Sequence, residues 1–313
     1  MKILFLTSNR VGDSVLSTGL LNWLVGNHPG AEITVACGPF AADLFRATPG
    51  LERLIILKKQ SWNLHWYGLW RDCFDTKWDI IVDLRNSLIS RLLFAKKRYY
   101  VPRMPTAHKV VEIGATLKLS PPPAPHIWLD AAAKAEADKI LPNNAHILAL
   151  GPAANWAAKQ WPVERFAALA ERLTAKDGPL PDATILVIAD TRERDQIAPL
   201  LKSIPDNRRI ELIGRDLLTV GACLKRCTLF LGNDSGLMHM AAAVGTKTLG
   251  LFGPGYEDIY GPWGAHCAYV RTDKSRATLL ESLRHPGPHQ NNLMDSLSVE
   301  KVFVAATKLL ARK

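Results

Sequence analysis

A short apolar run, a glycine-containing turn and a helical stretch follow one another twice in this chain. This repeated order constrains the fold more than any other feature. Residues 2–7 (KILFLT) form the first run, and apolar residues at helical spacing follow at 14–27. The order restarts at 146–150 (HILAL), with Gly151-Pro152 and a helix predicted over 163–175. Buried parallel strands read as continuous apolar runs separated by crossover helices. The sequence therefore predicts an α/β protein with two doubly wound domains.

Other segments extend this interpretation to the whole chain. A proline-rich stretch at 120–125 (SPPPAP) predicts a stiff linker, and an alanine-rich helix is predicted over 130–141. We place the domains at 1–142 and 143–313, and the closing helix over 298–310 is expected to pack either within the second domain or back on the first. Further predicted strands are 31–36, 54–57, 80–84, 184–189, 229–231 and 248–252.

The charge is positive and locally concentrated. The chain has 39 Lys and Arg against 29 Asp and Glu among its 313 residues, a formal charge of +10. Every charged residue from Arg85 to Lys109 is positive. Such a stretch favours anionic partners, namely an anionic lipid surface or a phosphorylated or carboxylated substrate, although it is also compatible with a solvated face. No nucleic-acid-binding motif accompanies it, so we expect no nucleic acid partner.

Several protein classes are excluded at this point. No uncharged apolar run approaches the roughly 18 residues that span a bilayer, and the apolar N-terminal run is too short for a signal peptide. The five cysteines form no CxxC pair and have no accompanying histidine cluster, which predicts neither disulfides nor a metal site. We therefore expect a cytoplasmic protein.

The first segment that could carry chemistry is 7–14 (TSNRVGDS), where the first strand turns into the first helix. It lacks the GxGxxG pattern of dinucleotide-binding proteins. Asp13 stands close to the helix start. It is either the N-cap of that helix or a catalytic base, and spacing alone favours the N-cap.

The second segment is 150–162 (LGPAANWAAKQWP), which follows the first strand of the second half. Asn155 offers hydrogen-bond donors in a tight loop, and Lys159 precedes the next helix. A lysine beside a helix start suits a phosphate, because a point charge and unpaired N–H groups converge there. Most loop lysines are merely solvated, so this signal is weak alone.

The third segment, 229–254, is the strongest. It reads as a strand, the turn Gly232-Asn233-Asp234-Ser235-Gly236, a small-residue helix, a second strand and Gly253-Pro254. Ser235 and His239 are four residues apart and share a helix face beside a start that exposes N–H groups to an anion. The alternative is a buried helix capped by Asp234 or Ser235, with His239 in the core. The serine is not in the GxSxG elbow of hydrolases.

An aromatic-dense stretch is the remaining feature. It contains helical steps of four, which predicts a helix packed on the first domain. The alternative is a surface that faces sugar or lipid, since aromatic rings beside cationic residues suit both. The residues are Trp62, Trp66, Tyr67, Trp70, Phe74 and Trp78.

With the three segments in this order, the chain resembles family 9 glycosyltransferases, the ADP-heptose:lipopolysaccharide heptosyltransferases. The resemblance rests on Val11-Gly12-Asp13, on Lys159-Gln160-Trp161-Pro162, and on the stretch from Gly232 to Ala243 followed by Phe252-Gly253-Pro254. It implies the GT-B fold, in which two Rossmann-like domains face each other across a cleft and the second binds the donor nucleotide. It also implies an inverting transfer that needs no metal or other cofactor.

The family's roles transfer to matching positions only as the resemblance implies them. Asp13 would be the base that takes the proton of the acceptor hydroxyl, which reverses the preference for an N-cap. Lys159 would hold the donor diphosphate, and Asp234 the hydroxyls of the donor sugar. Ser235, Gly236 and His239 would surround the phosphates at the helix start, and Glu193 would bind the nucleoside ribose.

The chain also departs from the family pattern. Leu237 replaces a proline, and Ala153 and Ala154 stand where relatives often have hydroxyl residues, so some phosphate contacts are either lost or supplied by Asn155. Arg10, Arg85 and Arg103 are candidates for binding an anionic acceptor.

The resemblance thus implies transfer of a heptose from ADP-heptose to an anionic lipopolysaccharide-core acceptor. The reaction would take place in the cytoplasm, at the inner face of the cytoplasmic membrane. Two alternatives stay open. The protein is a related transferase with another nucleotide sugar or glycan acceptor, or it is a catalytically silent relative that binds a nucleotide or glycan.

Overall fold

The computed structural model describes residues 1–143, 146–284 and 293–312. The chain divides into two compact units, Met1–Asp130 and Ala131–Lys313. Each unit contains one parallel β-sheet flanked by helices. The predicted α/β class is therefore confirmed in both halves.

The first unit alternates strands and helices. Its strands are β1 (Lys2–Leu6), β2 (Glu32–Cys37), β3 (Leu51–Ile56), β4 (Trp78–Asp83) and β5 (Ala95–Tyr100). Its helices are α1 (Val11–Asn27), α2 (Leu64–Cys73), α3 (Ile89–Leu92) and α4 (Lys109–Gly114).

The second unit repeats this order over a longer stretch. Its strands are β6 (Ile147–Gly151), β7 (Thr184–Ala189), β8 (Arg209–Ile213), β9 (Leu229–Asn233), β10 (Thr248–Phe252) and β11 (Cys267–Arg271). Its helices are α5 (Ala131–Ile140), α6 (Val163–Thr174), α7 (Arg194–Ser203), α8 (Leu217–Lys225), α9 (Gly236–Ala243), α10 (Glu257–Tyr260), α11 (Arg276–Arg284) and α12 (Val299–Leu310).

The order of strands creates one switch point in each sheet. The first sheet runs β3-β2-β1-β4-β5, and the second runs β11-β10-β9-β6-β7-β8. The chain leaves β1 toward one edge and later returns to place β4 on the other side of β1, and β6 and β9 are related in the same way. Ligands of doubly wound sheets bind beyond the carboxyl ends of the strands at such points. The segments after β1, β4, β6 and β9 are therefore the places to search for a site.

Three strands were missed by the sequence prediction, and all three are edge strands. β5 (AKKRYY), β8 (RIELI) and β11 (CAYVR) lie at the outer positions of their sheets. Central strands such as β6 are buried on both faces and read as apolar runs. Edge strands are half-solvated and often carry charges, which oppose pairing with other chains. Their sequences therefore lack the signal that identified the central strands.

Close packing beneath the second switch point depends on glycine. Gly151 pairs with Gly232 across β6 and β9, and the Phe230 ring lies over both. A Cβ atom on either glycine would lie 2.7 Å from the ring carbon Cζ of Phe230. Real Cβ atoms do not approach so closely, so the Phe230 ring can pack here only because both residues are glycine.

The predicted linker is part of the first unit rather than a free connection. Backbone oxygens of Pro123 and Ala124 lie within 2.5 Å of where a Cβ on Gly19 of α1 would be. The backbone N–H of His126 donates to Thr18 Oγ1 at 2.9 Å. Glycine in α1 therefore lets this proline-rich segment lie directly against the helix.

The helix after this segment belongs to the second unit. α5 packs against α8, and Arg226 Nη1 donates to Ala137 O at 3.0 Å. This assignment places the division at 130/131, earlier in the chain than the predicted 142/143. The closing helix α12 packs against α6 and β11 of the second unit.

All five cysteines are buried thiols. Burial raises the pKa of Cys37, Cys73 and Cys267 to about 12, so these thiols stay protonated at neutral pH. No helix among the described residues is long and apolar enough to cross a membrane.

Candidate active site

A lysine and an aspartate meet at the switch point of the second sheet. Lys159 lies in the 3-10 turn Ala157–Lys159 after β6, and Asp234 directly follows β9. Lys159 Nζ donates to Asp234 Oδ2 at 2.5 Å, with 25% of the lysine and 9% of the aspartate side chain exposed. The structure thus brings together two residues, 75 positions apart, that the sequence analysis assigned to one ligand.

Asn233 fixes the distance between the two segments, and the sequence analysis gave it no role. Its side chain is fully buried; Oδ1 accepts from the backbone N–H of Trp161 at 3.0 Å, and Nδ2 donates to Pro152 O at 2.7 Å. One amide therefore ties both ends of the loop after β6 to the end of β9. The sequence could have indicated this role, because Asn233 stands beside Asp234 in the Gly-Asn-Asp-Ser-Gly turn.

The start of α9 completes this region. Ser235 occupies the N-cap position, but its side chain makes no capping hydrogen bond, and its buried Oγ has no hydrogen-bond partner in the described part of the chain. The alternative of a helix with a side-chain cap is therefore wrong. The uncapped first turn begins at Gly236, and His239 is buried one turn further on. An uncapped helix start next to a lysine is suited to an anion.

The loop after β10 closes one side of Asp234. A Cβ on Gly255 would lie 2.4 Å from Asp234 Oδ2, so glycine lets this loop lie directly against the carboxylate. Arg276 Nε donates to Pro254 O at 3.1 Å, and its guanidinium lies 3.8 Å from the centre of the Tyr256 ring. These contacts from α11 hold the loop beside the carboxylate.

Glu193 lies in a structured turn after β7. Its Oε2 accepts from the backbone N–H of Asp190 at 2.8 Å, and Asp190 accepts from the backbone N–H of Arg192, which together form a capping box. Hydrogen bonds from the Arg192 side chain and then its backbone lower the pKa of Asp190 to about 2. The sequence analysis missed this capping role, although the Asp-x-x-Glu spacing predicts it.

The loop between β6 and α6 holds the other donor candidate. Asn155 is exposed in this loop. Gln160 supports the same loop, because its Nε2 donates to Ala154 O at 2.6 Å and its Oε1 accepts from Gln196. The bond to Gln196 links the loop to α7. The structure therefore places Asn155 on the lysine-bearing segment without assigning its side chain a partner.

Asp13 is a first-turn residue of α1, not its N-cap. Arg10 occupies the N-cap position, and its carbonyl accepts from the backbone N–H of Ser14 at 3.0 Å. The N-cap interpretation of Asp13 is therefore wrong, because the helix begins three residues earlier than its apolar pattern indicated. The half-buried Asp13 carboxylate accepts from Ser8 Oγ at 3.4 Å.

Arg85 comes from the other side of the first switch point. Its Nη1 donates to Asn9 Oδ1 at 3.1 Å, and its guanidinium lies 4.7 Å from the centre of a Trp66 ring. The turn that carries it is held by Asp83, which accepts from the backbone N–H groups of Arg85 and Ser87 at 2.7 Å. Partial burial lowers the pKa of Arg85 from its ordinary value, with Asp83 acting in the opposite direction. An arginine stays charged, so this cation is poorly solvated and attracts anions more strongly.

The other two acceptor candidates are more loosely placed. Arg10 is exposed beside Asp13, with its backbone N–H donating to Ser8 Oγ at 3.2 Å. Arg103 is exposed in the segment after β5. The structure therefore brings Arg10, Asp13 and Arg85 to the switch point of the first sheet. It places Arg103 three residues beyond the end of β5, an edge strand of that sheet, without a described contact.

Among residues 1–143, 146–284 and 293–312, no group of three His, Cys, Asp or Glu side chains could hold a metal ion.

Comparison with known proteins gives one consistent result. The family model for glycosyltransferase family 9 (heptosyltransferase) matches residues 92–284. Lipooligosaccharide heptosyltransferase 2 of Haemophilus influenzae is 23% identical over the full length of both chains.

Solved structures agree on the fold. A family 9 glycosyl transferase from Veillonella parvula superimposes with a TM-score of 0.82, at 20% identity over 99% of this chain and 97% of that one. The E. coli ADP-heptose lps heptosyltransferase II gives a TM-score of 0.76, at 19% identity over 99% and 98%. The two parallel-sheet units are thus those of the GT-B fold, as predicted.

The matched region covers more than half of the chain and contains both Lys159 and the Asp234-Ser235-Gly236 turn. The chain therefore belongs to glycosyltransferase family 9, the heptosyltransferase family, and it is a glycosyltransferase.

Proposed function

We propose that the protein transfers a heptose from ADP-heptose to a lipopolysaccharide-core acceptor, with inversion at the anomeric carbon and without an essential metal. The observation that carries this proposal is the Lys159–Asp234 pair beside the uncapped start of α9. The names of the relatives support the choice of substrates, since one is an ADP-heptose lipopolysaccharide enzyme and another acts on lipooligosaccharide.

The donor would bind at the switch point of the second sheet. Lys159 would contact the diphosphate, whose other oxygens would accept from Ser235 Oγ and from N–H groups at Gly236, with His239 alongside. The Ser235 hydroxyl supports this assignment, because it has no hydrogen-bond partner among the described residues. Asp234 would accept from hydroxyls of the donor sugar, so the diphosphate would draw Lys159 away from the carboxylate to which it is now bonded.

The nucleoside would extend toward β7. In this proposal Glu193 binds the ribose with its second carboxylate oxygen, because Oε2 already accepts a backbone N–H. Asn155 would supply a phosphate contact from the loop that carries Lys159. The roles proposed for Glu193 and Asn155 both rest on where these residues stand in the sequence.

The reaction then follows from ordinary acid–base chemistry. The Asp13 carboxylate takes the proton of the acceptor hydroxyl while that oxygen forms a bond to the anomeric carbon. The bond from that carbon to the diphosphate oxygen breaks, and ADP leaves with the electron pair. A carboxylate suffices as base when the proton moves late, in an oxocarbenium-like transition state.

The negative charge that develops on ADP would be met by the protein itself. Lys159, drawn from Asp234 to the diphosphate, and the N–H groups at the start of α9 would both face the leaving oxygen and stabilise its charge. This is the reason for proposing that neither a metal nor another cofactor is required.

The acceptor would be anionic and attached to lipid. Arg85 and Arg10, beside Asp13, would bind a carboxylate or phosphate of the acceptor, and Arg103 would extend this positive region. We further propose peripheral contact with the inner face of the cytoplasmic membrane, and no nucleic acid partner.

Two alternatives are separated by their substrates. A related transferase with another donor would prefer UDP or GDP over ADP. A catalytically silent relative would bind a nucleotide or a glycan without turnover, although it would have no need of a carboxylate such as Asp13.

The test is calorimetric titration of the protein with ADP, UDP and GDP in the presence of a metal chelator. We expect selective ADP binding that weakens in Lys159→Ala and is unchanged in Lys176→Ala, an exposed lysine at the end of α6. Preference for another nucleotide would contradict the proposal that ADP-heptose is the donor. A requirement for added metal would contradict the proposal that no metal is essential. Absence of binding to all three would favour a silent relative that binds a glycan.

A further inference from the structure

Exposed apolar side chains are concentrated in one part of the first unit. Of the fourteen large hydrophobic residues that are exposed in the described chain, eight lie between Ile56 and Phe94. We use the name α2–α3 face for seven of these: Trp62, Leu64, Tyr67, Phe74, Leu88, Leu92 and Phe94.

The helix α2 presents its part of this face as one stripe. Leu64, Tyr67 and Phe74 follow one another at steps of three and seven, which places them on one side of a helix. The opposite side, with Leu69 and Cys73, is buried against the sheet. Because the buried side holds the helix in place, the exposed apolar stripe cannot turn inward.

The helix α3 continues the surface. It packs against α2, and both helices contribute to the same hydrophobic cluster over the sheet. Leu88, Leu92 and Phe94 are 59–70% exposed around it. The two exposed sets therefore lie on and beside two helices that pack against each other.

Trp62 is the most exposed of these residues. It is 94% exposed in the loop before α2, with a positive φ of 56° that bulky residues rarely adopt. Lys58 and Lys59 precede it in the same exposed loop. Tryptophan beside lysine is typical of segments at a membrane–water interface, where the ring lies at head-group depth and the ammonium groups meet phosphates.

The surrounding charge is positive. Residues 56–109 contain eleven Lys and Arg against four Asp. Asp83 is buried, Asp79 and Asp72 are each bonded to a cation, Lys96 and Arg71, and Asp75 is exposed beside Phe74. The face therefore presents apolar rings within a cationic border.

From this surface we infer that the α2–α3 face docks on an anionic phospholipid bilayer, with Trp62 and its neighbours entering the interfacial region. Charge complementarity selects this occupant. A second copy of the chain would bring two cationic borders together, whereas anionic head groups attract them. The inference rests on the proposed glycolipid acceptor for its role, because docking would hold the first unit at the surface where such an acceptor lies.

The experiment is cosedimentation of the full chain with vesicles of phosphatidylcholine alone or mixed with phosphatidylglycerol, without donor or acceptor. We expect binding to the anionic vesicles at about 0.05 M NaCl that is largely lost at about 0.5 M. Trp62→Ala, and Lys58→Gln combined with Lys59→Gln, should each weaken binding about tenfold. The matched controls are Val304→Ser, and Lys176→Gln combined with Lys202→Gln, exposed residues of the second unit that should change nothing.

Three outcomes would overturn the inference. The first is absence of binding to anionic vesicles at low salt, and the second is equal loss in the control variants. The third is self-association of the protein that Trp62→Ala abolishes, which would make this face a contact between copies. Transfer to a water-soluble acceptor fragment is measured separately and should be unchanged in Trp62→Ala. Failure of transfer with intact vesicle binding would therefore refute the proposed function and not the docking surface.

Discussion

The two units have the same kind of switch point, but the side chains at the two points differ in how firmly they are held. In the second, Lys159 and Asp234 are already bonded at 2.5 Å beside the start of α9, and Asn233 fixes the distance between their loops. In the first, Asp13 accepts from Ser8 Oγ at 3.4 Å, and Arg85 is held by Asn9 and Trp66. One site is assembled before any ligand arrives, whereas the other presents a lightly held carboxylate.

This difference matches the two proposed tasks. Binding a diphosphate benefits from charges and N–H groups that are fixed in advance, because rigid groups lose little entropy on binding. A general base needs available lone pairs, and strong bonds to the carboxylate would weaken its basicity. The comparison therefore predicts that changes at the first site alter turnover, while changes at the second alter binding or stability.

The largest effect is expected from Asp13→Asn. An amide cannot take the acceptor proton, so the transfer rate should fall about 10³-fold, while ADP affinity stays unchanged. Single-turnover assays and calorimetry on the same protein would measure both. Asp43→Asn, an exposed carboxylate of the same unit, serves as control. Wild-type turnover in Asp13→Asn would refute the assignment of the base.

The second prediction concerns Asn233→Ala, which tests whether the second site is preassembled. The change leaves Pro152 O and the Trp161 N–H buried without their partner. The free energy of unfolding should fall by about 2–4 kcal/mol, and ADP affinity should fall with it. Urea denaturation followed by circular dichroism gives the first value. A loss below about 0.5 kcal/mol would show that the loop does not depend on this bridge.

Lys159→Ala should weaken ADP binding by about tenfold to a hundredfold, because a charge-assisted hydrogen bond to the diphosphate is lost. Lys159→Arg should retain part of the affinity, since charge remains but the geometry changes. Lys176→Ala controls for net charge. Equal ADP affinity in Lys159→Ala and the control would show that Lys159 does not bind the donor.

Arg85→Gln should raise the KM for an anionic acceptor about tenfold, with little change in ADP affinity. Arg91→Gln is a matched control, because its guanidinium also lies 4.7 Å from the centre of an aromatic ring, that of Tyr100. If both variants raise KM alike, general positive charge rather than the position of Arg85 is responsible.

The smallest effect is expected from Glu193→Gln. Glutamine preserves a capping box, so the free energy of unfolding should change by less than about 0.5 kcal/mol. If the carboxylate binds the ribose, ADP affinity should still fall by about threefold to tenfold. Unchanged affinity in calorimetry would leave Glu193 with the structural role alone.

Most of the fold was predictable because its central strands are buried on both faces. Eight apolar runs located strands that the structure contains, and the helix starts at Val163 and Val299 follow Pro162 and Ser298 as their sequences indicate. The edge strands β5, β8 and β11 were not predictable in this way, since solvent on one side removes the requirement for apolar residues. The start of α1 was misplaced for a related reason: its first turn holds Gly12 and Asp13 rather than apolar residues.

The candidate site was predictable only in part. Lys159, Asp234 and Ser235 were found because their turns follow strands, and parallel strands end at one edge of a sheet. The supporting groups Asn233, Gln160 and Gly255 were not found, because hydrogen bonding and close approach depend on distances between distant segments. The docking surface also depended on structure, since the aromatic stretch contains both core residues such as Trp78 and exposed ones such as Trp62.

By itself the sequence determined the α/β class, the two-unit plan and the residue types of the donor turn, because hydrophobic periodicity and turn chemistry are local properties. Tertiary structure decided which residues meet. It bonded Lys159 to Asp234, left the hydroxyl of Ser235 without a partner among the described residues, and gave Asp13 a first-turn position instead of the N-cap. These outcomes depend on strand order and packing, which bring together segments that no local pattern connects.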